Sequence, residues 1–296
     1  MDVTITDVGP ALVDSFREYA RVHGPEHDES YTLSEDLVRF DPAAEPAVLV
    51  FDADGAIVGA GSVMVDGFST EGAARFRILH AADPQAYPLM LERLLPQLPD
   101  GVVRAFVFLP ENAGGIEDVL ARAGFGVSRR ATILVHRSPG HVAVPPVPDG
   151  VVLSPAGPEV AELAANLINT VFHGQPGHYD MSAERAAEIL GRRRIVSEGT
   201  LVAWRDGALA GLVITAEDPD ELAYAEVETL GVMPDEQGRG IGKALLCSAV
   251  AAAARMNHTR VTLSTGEDNR RALGLYLGVG FRVEEVRVCW ELSLGR

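Results

Sequence analysis

The stretch Glu226-Val-Glu-Thr-Leu-Gly-Val-Met-Pro-Asp-Glu-Gln-Gly-Arg-Gly-Ile-Gly-Lys-Ala-Leu-Leu246 decides the reading of this chain. Its first part reads as a strand and its last part opens an apolar helix that runs on through Ala249 to Ala254. Between them lies Gln237-Gly238-Arg239-Gly240-Ile241-Gly242, a glycine-rich turn at a helix N-terminus. Glycines let a backbone approach a ligand closely, and the unpaired N–H groups of a first helical turn carry partial positive charge. Such a turn suits a phosphate or pyrophosphate, to which Arg239 and Lys243 add full charges. The spacing is neither of two familiar nucleotide signatures. A Rossmann turn needs G-x-G-x-x-G after the first strand of a domain, whereas this is Q-x-x-G-x-G after the fourth. A Walker loop needs Ser or Thr after its lysine, and Lys243 is followed by Ala244.

Outward from this turn, the second half reads as strand 151–154, helix 158–171, a loop from His173 to Asp180, and helix 182–192 with Ser182 as N-cap. Strands 200–205, 208–217 and 221–232 follow, then helix 240–256, strand 259–265, helix 268–279 and strand 281–293. The first half repeats the order: strand 2–6, helix 10–22, strands 47–52, 56–65 and 72–80, helix 84–96, strand 102–108, helix 115–122 and strand 125–136. Two hairpins align at an offset of 152 residues, Leu49 to Gly59 with Leu201 to Gly211, each turning on Asp-Gly. Gly124-Phe125 matches Gly280-Phe281 at an offset of 156, so the halves read as duplicates. Pro139, Pro145, Pro146 and Pro148 make residues 138–150 a linker that cannot propagate a helix. The expectation is an α/β chain with two tandem domains at 1–137 and 151–296, each a mostly antiparallel mixed sheet flanked by helices.

Composition narrows the partners. The 296 residues carry a net charge of −17, shared between both halves, which repels polyanions and argues against nucleic acid. No apolar run is long enough to span a membrane, and Met1-Asp2-Val3-Thr4 has neither a basic leader nor an apolar core, which predicts a cytoplasmic protein. Cys247 and Cys289, the two cysteines, cannot build a disulfide framework and read as reduced and buried. No metal is expected: His173, His178 and Asp180 share a loop without ligand spacing and read as loop hydrogen-bonders. Asp218, Asp220 and Glu221 read as a solvated hairpin tip. Lys243 is the sole lysine, a usage that fits a GC-rich bacterial source.

The Q-x-x-G-x-G turn resembles the phosphate-binding motif of the GNAT superfamily of acetyl-CoA-dependent N-acetyltransferases. Asn269-Arg-Arg-Ala272-Leu-Gly-Leu-Tyr276-Leu-Gly-Val-Gly280-Phe281 resembles that family's second signature, N-x-x-A-x-x-x-Y-x-x-x-G-F. The likeness covers residues 151–293 well and 2–136 in outline. It implies acetyl-CoA as cosubstrate, held by Gln237, Gly238, Arg239, Gly240, Ile241, Gly242 and Lys243, and bordered by Asn269 and Ala272. It implies direct attack by an amine in a ternary complex, with Glu226 as general base, Glu228 as the rival base two residues on, and Tyr276 as acid for the departing thiolate. Gly231 inside the strand suggests a bulge that splays the fourth strand from the fifth, freeing backbone near Leu230 and Val232 for the pantetheine arm. Asn269 and Tyr276 also have plain structural readings, as a helix cap and a core residue.

The equivalent stretch of the first half, Phe76 to Met90, has no glycine, and Pro84 and Pro88 remove two backbone donors. A GNAT-shaped half without a phosphate cradle is expected there. The tandem layout is similar to that of mycothiol synthases, but Ile214-Thr-Ala-Glu-Asp-Pro-Asp220 lacks the aromatic and lysine-bearing pattern expected of them, so the acceptor is not assigned. A small-molecule amine is the primary expectation, in a monomer or homodimer. A protein lysine or N-terminal amine as acceptor, and a non-catalytic acyl-CoA sensor, are the alternatives.

Overall fold

The computed structural model of the chain describes residues 3–27, 29–65, 72–175, 180–221 and 223–295. The chain forms two compact units, one of residues 1–131 with 285–296, the other of residues 132–284. In chain order the elements are β1 Thr4–Asp7, α1 Val13–His23, α2 Ser34–Leu37, β2 Ala47–Phe51, β3 Ile57–Met64, β4 Ala73–Ala81, α3 Ala86–Leu94, β5 Arg104–Pro110, α4 Ile116–Arg122 and β6 Gly126–His136. Then follow β7 Val151–Pro155, α5 Ala161–Phe172, α6 Ala183–Leu190, β8 Leu201–Arg205, β9 Ala208–Glu217, β10 Tyr224–Val232, α7 Ile241–Arg255, β11 Arg260–Gly266, α8 Arg270–Val279 and β12 Arg282–Ser293. The architecture is a mixed α/β fold in which the order of elements in 1–136 is repeated in 151–293, the short α2 standing in the place of α6.

In the first unit the strand order is β1-β2-β3-β4-β5-β12. Along that order neighbouring strands pair antiparallel, except β4 with β5, which run parallel. The last strand returns to this unit: Arg287–Ser293 pairs with Pro110–Arg104 of β5. The compact units therefore cut the chain at 131/132 and 284/285 rather than at the proline-rich stretch. That stretch packs with the second unit, where Pro139 is buried in a 3-10 turn and Val142 rests on the core. In the second unit the order is β6-β11-β10-β9-β8-β7, with β10 antiparallel to β9 and parallel to β11.

Local chemistry accounts for these elements. Asp206 and Gly207, with φ of 50° and 79°, make the tight β8–β9 turn in the left-handed region that suits a hairpin's twist. Ser182 Oγ accepts from Arg185 N at 3.1 Å and caps α6. The sheet of the second unit is covered on both faces. Leu245, Leu246, Ala249, Val250 and Ala253 of α7 pack on Ala225, Val227, Val261 and Leu263, while Leu167 and Ile168 of α5 pack on Val202, Leu212 and Ile214. Each leucine so buried contributes about 2–3 kcal/mol. In the first unit, α3 covers one face through Met90, Leu91 and Leu94, and α1 covers the other through Phe16, Tyr19 and Ala20. Both cysteines are buried and free. Among the described residues, no helix is long and apolar enough to cross a membrane.

Candidate active site

The site is built where β10 and β11 part. They pair in parallel only from Tyr224↔Arg260 to Glu226↔Thr262, although β10 continues to Val232 and β11 to Gly266. The splay expected from the sequence is present, but its cause lies elsewhere. The register of β10 against β9 slips between Val227 and Thr229, so the bulge is at Glu228, and Gly231 pairs regularly with Leu212. The slip changes which residues face inward: Ala225 and Val227 before it, Leu230 and Val232 after it, all against the core under α7. Gly231 is small for a different reason. A Cβ there would sit 3.0 Å from Leu167 and 3.5 Å from Val171, so glycine admits α5 to the sheet.

Glu226 is exposed, on the face opposite buried Ala225 and Val227. Glu228 is bound on both oxygens: Arg192 Nη2 donates to Oε2 at 2.5 Å and Arg194 Nη2 to Oε1 at 2.7 Å. The two arginines follow α6, and Arg192 also donates from Nε to the Ile189 carbonyl at 3.3 Å. Glu228 is thus clamped between two guanidinium groups, one on each oxygen.

The glycine-rich turn forms a cradle at the N-terminus of α7. Gly238 and Gly240 have φ of 80° and 87°, a region that penalises any side chain, and Gly240 is the N-cap with no side-chain cap hydrogen bond. The first amides of this 15-residue helix thus carry the dipole's positive end, about half a charge, uncapped by side chains. Gly242 keeps the turn close to the strand, since a Cβ there would lie 3.4 Å from Val232 and 3.7 Å from Leu275. Ile241 is buried in the core and anchors the helix start. Gln237 ties the turn down: its Nε2 donates to the Val232 carbonyl at 3.0 Å, and its Oε1 accepts from Arg271. The Val232 carbonyl, expected to be free, is therefore engaged by Gln237. Exposed Arg239 lies 3.4 Å from Glu236, which also accepts from Arg205 at 2.9 Å, and Lys243 is exposed in the first turn of α7. Arg271 is a cation at this site that the motif reading passed over, because the second signature leaves its position unspecified.

In α8, Asn269 is the N-cap, its Oδ1 accepting from Ala272 N at 3.1 Å. Tyr276 is buried, with its ring 6.2 Å from that of Phe281, and burial pushes its phenol up to about 12. Asp218 Oδ1 accepts from the amides of Asp220 and Glu221, both at 2.8 Å, closing the hairpin tip on itself. His173 and Asp180 are exposed, and His178 lies outside the described residues. Neither His173 nor Asp180 belongs to a metal-ligand group among the described residues.

The first unit repeats the parting of strands but not the cradle. β4 and β5 pair only from Ala73↔Arg104 to Arg75↔Phe106, while β4 continues to Ala81. At its end the Tyr87 hydroxyl accepts from Ala81 N at 3.1 Å and donates to the Ala81 carbonyl at 3.3 Å. The entry to α3 holds its own anion, Asp83 Oδ1 accepting from Gln85 N at 2.9 Å.

The family described as Acetyltransferase (GNAT) matches residues 166–281. A mycothiol acetyltransferase of Kineococcus radiotolerans is 32% identical over 183 residues, spanning 56% of this chain and 55% of the relative. The chain thus spans little more than half the length of that relative. Among solved structures, a GCN5-related N-acetyltransferase from Sphaerobacter thermophilus superposes with a TM-score of 0.74 at 19% identity, covering 98% of this chain and 95% of the other. A tandem GNAT protein from the clavulanic acid biosynthesis pathway superposes with a TM-score of 0.70 at 18% identity, covering 100% and 99%. Residues 166–281 of this chain thus resemble the GNAT acetyltransferase family, and the chain as a whole shares the fold of a tandem GNAT protein.

Proposed function

We propose that the chain is an acetyl-CoA-dependent N-acetyltransferase whose acceptor is the primary amine of a small molecule. The observation that carries this reading is the side-chain-free N-terminus of α7 beside the end of β10, next to the gap between β10 and β11. Gly238, Gly240, Gly242, Arg239 and Lys243 would hold the diphosphate, and Arg271 would fix the turn through Gln237. Backbone of β10 beyond Glu226 would hold the pantetheine arm. When bound, acetyl-CoA supplies an acetyl group activated as a thioester.

The chain's own residues then divide the proton work. Exposed Glu226 takes the amine proton, directly or through one water. Glu228 is a positioning residue: it fixes Arg192 and Arg194 beside the bulge, and its oxygens are already committed to them. Tyr276, with a pKa near 12, stays protonated through the working range. It donates a hydrogen bond to the departing sulfur rather than ionising ahead of it. The acidic chain draws cationic acceptors toward it. The name of the mycothiol acetyltransferase relatives supports a small-molecule acceptor. The first unit is proposed to lack a cofactor site, because Asp83 and Tyr87 already occupy the corresponding amides.

The test is a panel of small-molecule amines and of lysine peptides with acetyl-CoA, read by release of the CoA thiol. Turnover with a small amine supports the reading. Turnover with peptides alone, or acetyl-CoA binding without any turnover, overturns it.

A further inference from the structure

Three side chains of the first unit converge without any part in acetyl transfer. His23 ends α1, Glu26 closes the 3-10 turn Gly24–Glu26 that follows, and His80 lies near the end of β4. The Glu26 carboxylate spans both rings: Oε1 is 2.7 Å from His23 Nδ1, and Oε2 is 3.2 Å from His80 Nε2. The two imidazoles stack with centroids 4.5 Å apart and planes 14° apart, so their nitrogen edges meet the same carboxylate. One donor atom from each of the three residues lies within 4.8 Å of the others.

The surroundings favour a cation over an empty hydrogen-bond network. Tyr19, buried, reaches His80 Nδ1 with its hydroxyl at 2.8 Å. That is the outer partner a metal-bound imidazole needs, because it can take the Nδ1 proton and leave Nε2 to the ion. Asp14 and Glu18 line the groove that opens beside Tyr19 and His23, adding negative charge. Two imidazoles and one carboxylate form a zinc-type donor set. Bonds of about 2.0–2.1 Å need ligand atoms roughly 3.3 Å apart, a spacing reached from here by small side-chain shifts.

We propose that His23, Glu26 and His80 bind one divalent transition-metal ion of the zinc class, tying the end of α1 to β4 and leaving a solvent-facing position. Metal binding would replace the two ring–carboxylate hydrogen bonds, each ring carrying its proton on the nitrogen turned away from the ion. The site does not depend on the acetyl-transfer reading, and neither result bears on the other.

The experiment titrates chelator-treated full-length protein with Zn2+ by calorimetry, and with Co2+ by visible absorption. The expected result is one site per chain, Co2+ bands displaced by Zn2+, and a melting temperature raised by Zn2+. His23→Ala and Glu26→Gln alter accessible side chains, and each is expected to weaken Zn2+ binding at least about tenfold and abolish the thermal shift. No binding, or binding of unchanged affinity in either variant, overturns the proposal.

Discussion

Glu226 and Thr262 face each other across the last paired position of β10 and β11, and beyond them the two strands separate. Backbone donors and acceptors rarely stay unpaired, so a parting inside a sheet marks a place built for another partner. The bulge at Glu228, two residues past Glu226, accompanies the change of course. A carboxylate and the unladdered backbone of one strand thus lie side by side.

The two glutamates should respond differently to loss of charge. Glu226→Gln is expected to lower kcat about 10²–10⁴-fold while leaving acetyl-CoA affinity and melting temperature near those of the parent. Glu228→Gln leaves Arg192 and Arg194 short of an anion and is expected to cost about 1–3 kcal/mol of stability. Steady-state kinetics and thermal melts of both variants check the division. A loss of kcat in Glu228→Gln alone, with full stability, would reverse the assignment.

Tyr276→Phe is expected to reduce kcat about 10–100-fold with little change in stability near neutral pH, since it removes only a hydroxyl. The folded state holds the phenolic proton more tightly than the unfolded chain does. Its contribution to stability is therefore complete below pH 10 and lost as pH rises through about 12. Melts across that alkaline window should show a steeper decline in the parent than in the phenylalanine variant.

Gly231 offers a test of packing rather than of strand bending. Gly231→Ala places a methyl against Leu167, and is expected to destabilise by about 1–3 kcal/mol without shifting the register of β10. Denaturant unfolding reads the loss. An alanine variant as stable as the parent would show that α5 does not need the gap.

Much of this arrangement is legible in the sequence, for identifiable reasons. The Asp206-Gly207 turn, the Ser182 cap and the Gly238–Gly240 bend each depend on a residue type with few alternatives at that conformation, so local chemistry announces them. The strand boundaries around β10 follow from alternation, but the bulge does not. It sits at Glu228, whose side chain is held by arginines 34 and 36 positions away in sequence, and no local pattern encodes that pairing. Gly231 misleads for the same reason, because its smallness answers to Leu167 of another helix. The exchange of Arg287–Ser293 into the first unit is invisible to periodicity, which reads one apolar strand without saying which sheet it joins. The His23–Glu26–His80 group is scattered too, with its third member 54 residues beyond its second.

The central claim is that the amides at the start of α7 grip one molecule of acetyl-CoA. Calorimetric titration of the full chain should give one site per chain, none of it in the first unit, with affinity falling at least about tenfold in Gly240→Ala, where a side chain is forced to a φ of 87°. No association with acetyl-CoA, two equal sites, or binding unaltered by that substitution would contradict it.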